Sequence, residues 1–265
     1  VYGGEKELVE RVEVKLGPTT YQGSVTVALI PGEERDPISQ RSVQNAIREA
    51  VGDRADLLFG THGQFSTGGA IRMAQAIEPY MPLWFEEPVP PDSVGSMTRV
   101  ANATKIPIAT GERLTTKAEF APILRDGAAT ILQPALGRVG GINEARKIAA
   151  MAEVYNAQIA PHLYAGPIEW AANVQLAATI PNLLLVETIE TGGAFHRALI
   201  GDTIHFDNGY LIPPKGPGLG IEVNEALARA HPLEDEGLHL QMQEAPCDYT
   251  AENVFGGGAP RKPGN

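Results

Sequence analysis

The sequence predicts an α/β protein built on a closed barrel of parallel strands, and three observations carry that reading. From about residue 54 to residue 190 one unit repeats: a short aliphatic run, a polar residue at its end, then an amphipathic stretch. The runs are nearly all apolar, as parallel strands buried on both faces must be. The polar residues that end them, His62, Glu86, Glu112, Gln133, His162 and Glu187, are 24, 26, 21, 29 and 25 residues apart, about one βα unit each. An open doubly wound sheet gathers only the strand ends at its switch point. A barrel brings every strand end to one mouth. Chemically useful side chains on successive strand ends favour the barrel.

The elements follow in order. Val12-Glu13-Val14-Lys15-Leu16 reads as a strand, with Val1-Tyr2 as the stub of an earlier one. Residues 17–38 are rich in Gly, Pro and Thr and read as a long excursion, followed by a helix from about Ile38 to Val51 with Val43, Ile47 and Val51 on one face. The repeating strands are Asp56-Leu57-Leu58-Phe59, Leu83-Trp84-Phe85, Ile106-Pro107-Ile108-Ala109, Ala129-Thr130-Ile131-Leu132, Ala157-Gln158-Ile159-Ala160 and Leu183-Leu184-Leu185-Val186. Helices are marked by the stripe Ala70, Ile71, Ala74 and Ile77 behind Ser66-Thr67, and by Phe120, Ile123 and Leu124 between Thr115-Thr116 and Gly127. Ile142, Ala145, Ile148, Ala149 and Ala152 follow the Gly140-Gly141 turn, and Ala171, Val174, Ala177 and Ala178 stop at Pro181. Gly216-Pro217-Gly218-Leu219-Gly220 is a turn-rich crossing, and Gly256 to Asn265 reads as a loose tail. The expected organisation is a barrel domain over residues 1–222 and a C-terminal extension with a flexible tail over 223–265.

Composition narrows the partners. Apolar residues make up 43% of the 265 and charged residues 20%, which excludes a fully disordered chain. Lys plus Arg number 21 against 32 Asp plus Glu, a net charge of −11 with no basic stripe, so nucleic acid and anionic membranes are poor partners. The lone Cys247 can form neither an internal disulfide nor a thiolate cluster. No run approaches the ~18 apolar residues of a membrane span, and the N-terminus lacks a signal-peptide core. A cytoplasmic protein is expected.

Several residues could carry chemistry. Glu86, in Glu86-Glu87-Pro88, and Glu112, in Gly111-Glu112-Arg113, end adjacent strands. Carboxylates crowded into one mouth call for a cation, and oxygen ligands with open positions suit Mg²⁺; ion pairs with a neighbouring Arg or Lys at the rim fit the residues equally. His162 ends a buried strand, either as a hydrogen-bonded structural residue or as a base. His62 sits between glycines, as a ligand-facing residue or simply a turn. Glu187, after four aliphatic residues, is either a carboxyl kept protonated by its surroundings or a solvated strand end. Lys15 is a charged edge, or a base if a nearby metal lowers its pKa. Gly137-Arg138-Val139-Gly140-Gly141 has neither dinucleotide-fold spacing nor a P-loop lysine and reads as a turn. No G-x-S-x-G, H-E-x-x-H or C-x-x-C occurs.

The residues from Leu83 to Glu190 closely resemble the barrel domain of the enolase superfamily, in the mandelate racemase and muconate lactonizing enzyme branch that includes the acid-sugar dehydratases. The likeness lies in Trp84-Phe85-Glu86-Glu87-Pro88, Ile106 to Arg113, Gln133-Pro134, Gly140-Gly141-Ile142, Pro161-His162, Gly166-Pro167, Glu187 and the late Pro213-Pro214 to Gly220. With weaker matches at Val14-Lys15 and Gly60 to Gln64, it covers most of residues 10 to 222.

The resemblance implies a (β/α)7β TIM-like barrel, with the family's N-terminal α+β capping domain lacking here. It implies Mg²⁺ bound by Glu86 and Glu112, and His162 as the base that takes the proton α to a carboxylate. Glu187 would hydrogen-bond the substrate carboxylate, and His62, as in galactonate-type dehydratases, would protonate the departing hydroxyl. The activity implied is a hydro-lyase converting a sugar acid to a 2-keto-3-deoxy acid, with racemisation or cycloisomerisation of a related carboxylate, or a non-catalytic member, as alternatives. A homo-oligomer acting on a small molecule is expected. Three positions depart from the family pattern: Gly60 and Ala135 stand where aspartates are usual, and Gly17 replaces a functional residue two positions after Lys15. Thr61, His62 or water would then complete the metal's ligands.

Overall fold

The computed structural model describes residues 23–28 (backbone only), 48, 52, 55–188, 193–207 and 210–232. Strands β1 (Gly23–Ala28), β2 (Ala55–Gly60), β3 (Trp84–Glu86), β4 (Ile108–Thr110), β5 (Ile131–Leu132) and β6 (Gln158–Ile159) form one six-stranded sheet in which each strand pairs with the next in sequence. Every pairing is parallel. A parallel bridge from Ile159 to Leu183 carries the same order onward to the last extended segment. Strand order that never reverses is barrel order; a doubly wound sheet must reverse at its switch point.

Between the strands run α1 (Thr67–Ile77), α2 (Val94–Ala101), α3 (Lys117–Arg125), α4 (Leu136–Val139), α5 (Ile142–Val154) and α6 (Pro167–Ala177). Helix α1 starts where Ser66 accepts a hydrogen bond from the Gly69 amide at 3.2 Å. Helix α3 starts at Thr116, whose amide donates to Glu119 Oε2 at 2.7 Å, closing a capping box. The glycine-rich turn of the sequence becomes the single turn of α4, ended by Gly140 in the left-handed region, with Gly141 leading into α5.

The two faces of the sheet are filled by alternate residues of each strand. Phe59, Phe85, Ile108, Leu132 and Ile159 point outward and pack on Met73, Ile77, Met97, Val100, Phe120, Ile123 and Ile148 of the helices. Leu58, Trp84, Ala109, Ile131 and Ala160 form a separate cluster with Leu184 and Leu185, the filled interior of the barrel. That alternation decides the site. Gly60 follows Leu58 by two, Glu86 follows Trp84, Gln133 follows Ile131 and His162 follows Ala160, so all continue the inward rows toward the C-terminal ends. A third cluster joins Leu163, Trp170 and Val174 to Leu199, Ile200 and Leu227. Apart from Leu163, which follows β6, these come from α6, α7 (Gly193–Ile200) and α8 (Glu225–Ala230), beside the antiparallel pair β7 (His205–Asp207) and β8 (Tyr210–Ile212).

Some expectations change. A strand, β1, lies within the stretch read as an irregular excursion; its Val-Thr-Val core is β-branched, and six register pairs align it with β2. Strands β4, β5 and β6 are shorter than their apolar runs, and the Leu183–Val186 run contributes one bridge rather than a full strand. The strand at Val12–Leu16 with Lys15 and Gly17, and the tail from Gly256, lie outside the described residues, as does the helix at Ile38–Val51 except for Arg48, which is helical. Among the described residues no helix is long and apolar enough to cross a membrane.

Candidate active site

Glu86, the last residue of β3, is half-buried, and its Oε2 accepts hydrogen bonds from Trp84 Nε1 at 2.9 Å and Gln133 Nε2 at 2.8 Å. Gln133 follows β5, so the contact passes over β4, as in a barrel where alternate strands supply the side chains of one interior layer. The same rule applies one strand on. Glu112, after β4, meets His162, after β6, with Nε2 and Oε2 3.5 Å apart. The two carboxylates share the mouth: burial, and after it the charge of Glu112, push the Glu86 carboxyl up, while the Gln133 hydrogen bond pulls it down. Burial lowers the His162 pKa, against the pull of the Glu86 charge. That direction favours the neutral imidazole, the form that can accept a proton.

Glu112 is placed by a glycine. Gly111 adopts φ 141°, and a Cβ there would lie 2.8 Å from both the Gln133 amide nitrogen and Phe120 Cε1. The next residue, Arg113, donates a hydrogen bond from Nε to Glu87 Oε2 at 2.8 Å, and its Nη2 lies 2.7 Å from the same oxygen as an ion pair. Glu87 is fully buried; burial and the nearby Glu112 charge push its carboxyl upward against the pull of Arg113. This pair ties together the two strand ends that carry Glu86 and Glu112. Arg113 pairs with Glu87, and among the described residues no Lys or Arg pairs with Glu86 or Glu112.

Glu187 reaches back to the preceding strand end, where its Oε2 accepts the Leu163 amide at 2.6 Å. Burial pushes its carboxyl up to about 7, although the residue as a whole is exposed at the rim, where solvent tempers the shift. His62 sits at φ 51°, an uncommon conformation for a non-glycine residue. The loop holding it is fastened on both sides, with the Thr61 amide donating to Glu86 O at 3.2 Å and the Gly63 amide to Glu87 O at 2.6 Å. His62 is close enough for its charge to act on both Glu86 and His162.

The surroundings of Gly60 and Ala135 bear on the departures from the family pattern. Thr61 is buried and its hydroxyl donates to the Glu87 carbonyl at 2.9 Å. Gly60 pairs in register with Glu86, and a Cβ built on it would stand 3.9 Å from Glu86 Cδ, so the position faces the carboxylate without filling the space. Ala135 is buried and brings no carboxylate to His162, whose backbone carbonyl is instead held by Asn173 Nδ2 at 3.2 Å. Among the described residues no group of three His, Cys, Asp or Glu side chains is arranged to hold a metal. Two carboxylates nonetheless fit Mg²⁺, which is commonly held by one or two protein carboxylates with water or substrate oxygens completing its octahedron.

Trp84, Asn173 and the supporting role of Gln133 escaped the sequence reading. Trp84 was accessible to it, since residues two apart on a strand share a face. The Glu86–Gln133 and Glu112–His162 contacts were not, because they depend on how strands two apart are staggered.

The comparisons with known proteins agree with this geometry. Residues 7–227 match the family model described as enolase C-terminal domain-like, and the chain belongs to that family. It is 37% identical over 206 residues to a D-xylonate dehydratase of Haloferax volcanii, covering 77% of this chain and 50% of that protein. A D-galactonate dehydratase of Ralstonia nicotianae is 39% identical over 187 residues, covering 68% of this chain and 49% of its own length. The chain thus spans about half the length of the curated relatives it matches. Among solved structures, a mandelate racemase/muconate lactonizing enzyme-like protein from Roseovarius sp. TM1035 is 63% identical, with a TM-score of 0.77 over 86% of this chain and 60% of that one.

Proposed function

We propose that this chain carries the active site of a Mg²⁺-dependent sugar-acid dehydratase. The observation that carries the reading is the meeting of His162 with Glu112 at 3.5 Å in the mouth shared with Glu86. A base beside two carboxylates able to hold a cation is what this chemistry needs, and the contact supports the reading. Relatives named for dehydration of D-xylonate, D-gluconate and D-galactonate support a substrate of the aldonic acid class.

Glu86 and Glu112 would hold the Mg²⁺, which supplies Lewis-acid stabilisation of the negative charge that develops when a carbon α to a carboxylate loses its proton. His162 accepts that proton at Nε2, the ring nitrogen turned toward Glu112. Glu187, with its raised pKa, donates a hydrogen bond to the substrate carboxylate and so favours the added charge. His62 gives a proton to the β-hydroxyl as its C–O bond breaks. The electrons of the Cα–H bond become the new C=C bond, water departs, and the resulting enol tautomerises to a 2-keto-3-deoxy acid.

The test is incubation with MgCl2 and D-xylonate, D-gluconate or D-galactonate, with detection of a 2-keto-3-deoxy product. Product from at least one acid, lost in both His162→Asn and Glu86→Gln, supports the proposal. Exchange of the α-proton with deuterated water without loss of a hydroxyl would move the chemistry to racemisation. The absence of both product and exchange would overturn it.

A further inference from the structure

Two N–H donors converge on one oxygen of Glu86. Trp84 Nε1 and Gln133 Nε2 both bond Oε2, at 2.9 and 2.8 Å, and among the described residues Oε1 accepts no hydrogen bond. The donors are rigidly held. Trp84 is packed in the barrel interior with Leu58, Ala109, Ile131 and Ala160. Gln133 is 3% exposed, and its own Oε1 is buried without a partner. A buried amide whose acceptor is left unbonded is costly to keep, so the useful end of this side chain is the Nε2 that reaches Glu86.

We propose that Trp84 and Gln133 are positioning residues that restrict Glu86 to single-oxygen coordination through Oε1 and thereby make the site selective for Mg²⁺ over Ca²⁺. A carboxylate oxygen has about two lone-pair positions, and two hydrogen bonds occupy both of them on Oε2. Gripping a cation with both oxygens would require giving up one of those bonds. Mg²⁺ takes its oxygens singly in a near-ideal octahedron, whereas Ca²⁺ accepts six to eight oxygens and readily uses carboxylates through both. The bare Gly60 beside Glu86 brings no further carboxylate to compensate. This inference rests on the proposal that Glu86 holds the cation.

Calorimetric titration of the metal-free protein with MgCl2 and, separately, CaCl2 tests it in wild type, Glu86→Gln, Trp84→Phe and Gln133→Met. Each of the last two is expected to weaken Mg²⁺ binding about tenfold or more, the usual effect of removing a partner of a metal ligand. Ca²⁺ affinity should fall less, so that the ratio of the two dissociation constants shifts toward Ca²⁺. Equal losses for both ions, or an unchanged ratio, would overturn the inference while leaving Glu86 as a ligand. Wild type that binds neither ion, or a Glu86→Gln variant that binds as well as wild type, would overturn the underlying assignment and this inference together. Thermal unfolding of the metal-free variants shows which of them fold. Should Gln133→Met fail, Trp84→Phe keeps the tryptophan's packing role but lacks its N–H and reads the same ratio.

Discussion

His162 Nε2 and Glu112 Oε2 face each other at 3.5 Å although their strands are not neighbours; β5 runs between them. The imidazole is subject to opposed influences. Burial drives its proton off, and the surrounding carboxylates draw it back. Burial wins, so in metal-free protein the His162 proton resonances are expected to titrate below the ordinary histidine value of ~6.5. Glu86→Gln removes the anion that most opposes burial and should lower that midpoint further. A histidine with a depressed pKa binds fewer protons folded than unfolded, so its contribution to stability grows as pH rises from the folded pKa toward ~6.5. A midpoint above 6.5, assigned with His162→Asn, would contradict the assignment of a neutral base.

Glu187 gives the opposite sign. Its carboxyl is pushed up to about 7, so between its unfolded value and about 7 the folded chain binds the extra proton. Stability from this group is then full in acid and declines as pH rises through that window. Urea unfolding at pH 5 and pH 8 should show wild type losing more stability over the interval than Glu187→Gln, which has nothing to titrate. The exposure of the residue keeps the difference modest. Parallel pH dependence in the two proteins would show that the Glu187 carboxyl is not held in its protonated form.

Arg113 neutralises a fully buried carboxylate. Both of its contacts, at 2.8 and 2.7 Å, go to Glu87 Oε2, and Glu87 Oε1 is buried with no partner. Arg113→Met should cost up to about 3–5 kcal/mol at pH values where Glu87 is ionised, since it then leaves the partner charge buried alone. Because burial already pushes Glu87 upward, the carboxyl of the variant can take up a proton. The loss measured by urea unfolding should therefore be smaller at pH 5 than at pH 8. An equal loss at both values would mean that Arg113 acts through packing alone.

Much of this site was readable along the chain. Glu86, Glu112, His162 and Glu187 each follow an aliphatic run, and the inward rows of the barrel interior carry Glu86 and His162 to the mouth by simple alternation. The helices were legible from their caps, as Ser66 and Thr116 show. What stayed hidden was tertiary. Strand β1 has its own apolar run, Val25-Thr26-Val27-Ala28-Leu29-Ile30, but the Gly, Pro and Thr residues around it make the stretch read as irregular, and only its pairing with β2 marks it as a barrel strand. The choice of Glu87 over Glu86 as the partner of Arg113 depends on which of two adjacent carboxylates turns away from the mouth, and adjacency in sequence leaves that open.

Gly60 offers the most direct manipulation of the site. It is aligned with Glu86 in the β2–β3 register, and a Cβ added there would meet the Glu86 carboxyl group at 3.9–4.0 Å, ordinary van der Waals contact. Gly60→Asp is therefore expected to fold, with its carboxylate beside that of Glu86. Two like charges in one mouth oppose each other, so the metal-free variant should unfold at a lower temperature than wild type at pH 8, and the gap should narrow in acid as one carboxyl is protonated. With MgCl2 the order should reverse. A third anionic oxygen donor raises cation affinity, here by roughly tenfold or more, because affinity in such sites follows the charge count of the ligands. Binding to the folded state alone then lifts its stability by mass action. Calorimetry with MgCl2 and thermal unfolding at matched metal concentrations read the two halves separately. A variant that is destabilised without metal yet binds Mg²⁺ no more tightly than wild type would place the cation away from the Glu86 carboxylate.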